Sequence, residues 1–70
     1  MTYDESRQIT RTLEDNCRSG GYLLACVRTL AAQYPTLSWD SLRSKLVVMA
    51  YYGGYALSTI ERNFNAVREG

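Results

Sequence analysis

The chain has no histidine, a single lysine, a single proline, one phenylalanine, one tryptophan and two cysteines among its 70 residues. Each shortage excludes something. Without histidine there is no side chain whose ordinary pKa suits proton transfer near neutrality, and no imidazole for a metal. Cys17 and Cys26 alone fall short of the four ligands that a structural zinc takes, so neither a metal nor another cofactor is expected. No apolar run approaches the roughly 20 residues needed to cross a bilayer as a helix. One proline leaves most of the chain free to be helical. So few large aromatics make a thin core, at a length where a single core is already marginal. A second copy sharing an apolar seam would ease that shortage, and a homodimer is expected.

What is present is apolar enough to fold: 46% of the residues are hydrophobic, too many for a disordered tail. Six of them are tyrosines, whose hydroxyls want water or a partner, so several should stand at a boundary. Charge is nearly balanced at +1 overall. Within residues 20–70, Arg28, Arg43, Lys45, Arg62 and Arg68 outnumber Asp40, Glu61 and Glu69, which makes that part mildly basic. Arginine in place of lysine favours planar, bidentate partners such as phosphate or carboxylate. The acids are scattered, and the adjacent pair Glu14–Asp15 would point in different directions on a helix, so no enzyme is expected. Gly20-Gly21 and Gly53-Gly54 lack the spacing of a nucleotide fingerprint. With neither a signal peptide nor a membrane span legible, we expect a cytoplasmic, reducing location. Both thiols are then small core residues, with a Cys17–Cys26 crosslink as the alternative.

Periodicity predicts an all-α fold, a compact bundle of four short helices forming one domain over residues 1–70. The helices should cover about 3–18, 22–34, 39–52 and 56–68. Thr2 and Glu5 have the spacing of a capping box, and Ile9, Leu13 and Cys17 then recur every four residues as a narrow apolar stripe. Leu23, Val27, Leu30 and Tyr34, flanked by Leu24 and Ala31, cover more than half of the second helix, which should be central; Pro35 ends it. Ser38 caps the third helix, and Leu37 with Leu42 forms a hydrophobic staple across that cap. The run 46–52 is apolar nearly all round, predicting burial from two sides before Gly53-Gly54 stops the helix. Leu57, Ile60, Phe64 and Val67 form the stripe of the fourth helix.

Ala50, Gly54, Tyr55 and Ile60 carry the segment with recognisable meaning. They supply a small residue at a helix crossing, a glycine able to take positive φ in a turn, and apolar residues after it. Over about residues 46–67 the chain resembles the helix-turn-helix family of DNA-binding domains. The resemblance implies that the fourth helix enters the major groove of duplex DNA in a small transcription regulator, with Ser58, Thr59, Glu61, Arg62 and Asn63 as contact candidates. Gly53 and Ala56 stand where that motif usually has an apolar residue and a capping residue. The other reading is a protein-interaction or inhibitor module, similar in size to compact accessory proteins such as those of phages. In it, Tyr51, Tyr52 and Tyr55 supply a tyrosine-rich contact surface.

Overall fold

A computed structural model of the chain describes residues 2–18, 21–49 and 52–70. The fold is all-α, with α1 (Tyr3–Cys17), α2 (Tyr22–Gln33), α3 (Trp39–Val47) and α4 (Leu57–Glu69). No strand occurs among the described residues. Two helices begin where a hydroxyl satisfies a free amide, as the sequence predicts. Thr2 Oγ1 accepts from the Glu5 N–H at 3.2 Å, and Ser38 Oγ accepts from the Ser41 N–H at 3.2 Å. Leu37 and Leu42, the two sides of the staple, are both fully buried. By contrast α4 starts at Ala56 with no side-chain cap.

The core follows the predicted stripes. Ile9, Leu13 and Cys17 from α1, Leu23, Val27, Leu30 and Ala31 from α2, Leu42 and Leu46 from α3, and Ile60 and Phe64 from α4 are buried together. Tyr34, Trp39, Leu57 and Val67 close its rim, half-buried. The central helix is α2, which packs most extensively against α4 and α1. Cys17 and Cys26 form no disulfide.

Two cations from distant positions fasten the helices. At the C-terminal end of α2 the backbone leaves carbonyls without helical partners. Arg68 takes three of its neighbouring carbonyls: Nη1 donates to Pro35 O at 2.7 Å, and Nη2 donates to Tyr34 O at 2.9 Å and Leu37 O at 2.6 Å. The same guanidinium lies 4.7 Å from the centre of the Phe64 ring, whose other neighbour is Trp39 at 5.9 Å. Lys45 joins α3 to the first half of α1, donating to Ser6 O at 3.2 Å, to Thr10 Oγ1 at 3.1 Å and to Ser6 Oγ at 2.5 Å.

These contacts fix the direction of the chain. The C-terminal end of α4 sits at the C-terminal end of α2. Gly53, shortly before α4, brings its N–H to Cys17 at the end of α1. Hence α4 runs along α2 in the same sense, and the chain must cross back between Lys45 and Gly53. From Thr10 to Cys17 is about 10 Å along α1 at 1.5 Å per residue, and the chain leaves the helix to cover it.

That crossing corrects the expected third helix. It ends at Val47 rather than at residue 52, and the connection 48–56 is nine residues long, against three or four in a tight helix-turn-helix. Within the single chain the run is covered from one side: Val47 is 50% and Val48 is 78% exposed. Ala50 and Tyr51 lie outside the described residues.

Candidate interaction surfaces

The connection before α4 is built on a tight turn. Gly53 and Gly54 have φ of 64° and 83°, and the Tyr55 N–H donates to Tyr52 O at 3.2 Å. Positive φ at both central residues is the backbone of a type I′ turn, which strongly favours glycine at both places. The glycine pair is therefore explained by this turn, which sets Tyr52 and Tyr55 on its two sides. Both tyrosines are half-buried and pack against the core. Tyr51, the third residue expected at a partner surface, lies outside the described residues.

The apolar atoms facing solvent lie slightly earlier in the chain. Val47 and Val48 stand out at the end of α3, followed by half-buried Met49. The sequence pattern predicts a second covering neighbour for these valines, and within the single chain they face solvent. Among the described residues the most exposed tyrosines are Tyr3 at 75% and Tyr22 at 69%. Sequence reasoning passed over both, although each opens a helix and stands off its apolar stripe. Tyr3 holds the Arg7 guanidinium 5.9 Å from its ring centre.

On α4 the five predicted DNA-contact residues separate. Ser58 and Arg62 are exposed, Thr59 and Glu61 are half-buried, and Asn63 is buried at 8% exposure. Asn63 thus leaves the candidate set, because its helical position turns it inward beside Phe64. Its Nδ2 donates to Thr59 O at 2.9 Å, while Oδ1 is buried with no partner among the described residues. Ser58, Glu61 and Arg62 line one shallow face with Asn65 and Glu69. Arg62 is the sole cation of that face and has two carboxylates for company. Arg68, on the same helix, spends its donors on the turn after α2.

The Cys17 thiol is raised above its ordinary value, first by burial, with the Gly53 N–H acting in the opposite sense. Burial alone raises Cys26. Neither environment favours the thiolate that nucleophilic chemistry uses. No group of three or more metal-ligating side chains is close enough to hold an ion among the described residues, and no helix is long and apolar enough to cross a membrane. No known protein family, characterised protein or solved structure matches the chain.

Proposed function

We propose that this protein is a small non-enzymatic interaction module that binds protein through the apolar segment following α3. The observation that carries the reading is the exposure of Val47 and Val48, at 50% and 78%, with half-buried Met49, Tyr52 and Tyr55 further along the chain. A chain this small has few large apolar residues for its core, and leaving two valines in water forfeits about 1.5 kcal/mol or more for each that could be buried. The partner this chemistry favours is a second copy. Exposed apolar side chains on two copies can cover one another, as a two-fold interface requires.

The test is light scattering over a range of concentrations, with melting followed alongside. A dimer whose melting temperature rises with concentration, and which Val48→Asp returns to monomer without loss of helix, is the expected result. A parent that stays at the 7.9 kDa monomer mass at every concentration would overturn self-pairing.

A second reading, duplex DNA binding by α4, is supported by the outward positions of Ser58 and Arg62 and by the uncapped first turn of that helix, whose free amides suit a phosphate. Glu61 and Glu69 oppose it. Under this reading Arg62→Ala weakens binding by about 1–3 kcal/mol, and affinity falls steeply with salt. Absence of salt-dependent binding to duplex DNA at micromolar protein rejects it.

A further inference from the structure

The outward face of α3 changes character along its length. At about 100° per residue, Ser44 stands opposite the buried pair Leu42 and Leu46, and Val47 and Val48 follow one turn later, one on each side of its line. Ser41, Ser44, Val47 and Val48 are all exposed. Short side chains thus occupy the first part of the face and bulk occupies its last turn. Ser44 Oγ already donates to Asp40 O at 3.0 Å, so an apolar group laid over it strands no donor. Val48 borders the open groove between α3 and α1, and the same two serines form part of its wall.

Small followed by large is complementary to itself when reversed. A parallel copy of α3 would set valine against valine at one end and leave serine against serine at the other. An antiparallel copy lets the two helices approach closely where their serines meet, and the valines of each then cover the beginning of the other. Charge obeys the same symmetry. Asp40 and Arg43 are both exposed, one turn apart, and lie on the flank that carries Val47. A two-fold axis across antiparallel helices keeps like flanks together, so the acid of each copy comes beside the arginine of the other. Lys45, on the opposite flank, is held to α1 by its three hydrogen bonds.

We propose that α3 is the seam of a dimer, laid antiparallel against α3 of a second copy, with Asp40 of each chain paired to Arg43 of the other. This rests on the reading that the exposed valines bind a second copy, and it adds the orientation and the ion pairs. The contact is short, since α3 has nine residues, and it belongs with the small, transient interfaces.

Sedimentation equilibrium carried to millimolar protein tests it, on the parent, on Asp40→Arg, on Arg43→Asp, and on an equimolar mixture of the two variants. Each variant alone should associate about fivefold or more weakly than the parent, because both reciprocal pairs become repulsive. In the mixture the two cations of one chain meet the two anions of the other, and association should return to within about twofold of the parent. Mixing alters nothing within either chain, so recovery reports the contact between chains. Arg28→Asp mixed with Glu69→Arg carries the same net charges at exposed positions away from α3 and should gain nothing comparable. A parent that stays monomeric throughout removes the seam together with the second-copy reading. A dimer that neither α3 variant weakens, or that the α3 mixture fails to restore, keeps that reading and removes the antiparallel pairing. A control mixture that gains as much as the α3 mixture assigns the recovery to net charge and removes it likewise.

Discussion

Replacing Arg68 by methionine keeps a long apolar stem over Phe64 and removes every donor. The side chain makes three hydrogen bonds to the turn after α2, at 2.7, 2.9 and 2.6 Å, of which the one to Leu37 O is partly buried. Hydrogen bonds of this kind contribute about 0.5–1.5 kcal/mol each, and the solvent-facing pair belongs at the low end, because water replaces arginine on those carbonyls. The cation over the Phe64 ring adds about 0.5 kcal/mol at an exposed site. The expected loss is about 2 kcal/mol, which for a domain of this size lowers the melting temperature by about 10 °C. Arg68→Lys should fall between parent and Met variant, since one ammonium cannot bridge three carbonyls or stack on the ring as a guanidinium does. Thermal unfolding followed by circular dichroism, with urea titration as a check, measures both. A Met variant melting within about 2 °C of the parent would refute the idea that this clamp holds the end of α4 to the end of α2.

Three further outcomes follow from particular residues. Gly54→Ala places a Cβ at φ of 83° and should cost about 1–2 kcal/mol in urea unfolding; an unchanged midpoint would mean that the turn relaxes freely. Asn63→Leu removes a buried acceptor that has no partner and should raise the melting temperature, by about 1–2 kcal/mol of added stability, whereas a loss would show that Oδ1 is satisfied in solution. The Cys17 thiol, raised by burial, is held neutral in the folded protein, so its contribution is fully present below pH 9.0 and is lost as pH rises through the folded value. The fall in stability from neutral to alkaline pH should therefore be smaller in Cys17→Ala than in the parent, and equal falls would contradict the linkage.

Most of the fold was legible because local chemistry and burial agree in it. Thr2 and Ser38 cap the helices they were expected to cap, and every residue of the α1 stripe is buried. The third helix shows where periodicity fails. A run that is apolar on all sides carries no information about where the helix ends, and no glycine or proline stands at Val47. The stop is set by tertiary geometry, since the chain must reach the end of α1 before α4 can begin. Asn63 is a second instance. Its polarity argued for the surface, yet its place next to Val67 and Ile60 on the helical wheel turns it inward. The roles of Arg68 and Lys45 were not legible at all, because each partners backbone or hydroxyl groups more than 30 residues away.

Those two cations also change what the composition says about partners. Residues 20–70 carry five cations against three acids, a surplus that makes this part mildly basic when read from the sequence. Lys45 and Arg68 make up that surplus, and the structure turns the donors of both toward the protein's own groups. Their charges still act at a distance, but three N–H groups of each are committed to the protein's own oxygens and reach a duplex phosphate only if a clamp opens. What remains for direct contact is Arg28, Arg43 and Arg62 against Asp40, Glu61 and Glu69, a balanced set. On α4 itself the balance is one cation to two acids. Electrostatic affinity for a duplex grows with the number of phosphates neutralised, so the ionic term available to α4 is small. The exposed valines after α3 keep their full hydrophobic driving force at any salt concentration, and this contrast ranks protein contact ahead of DNA.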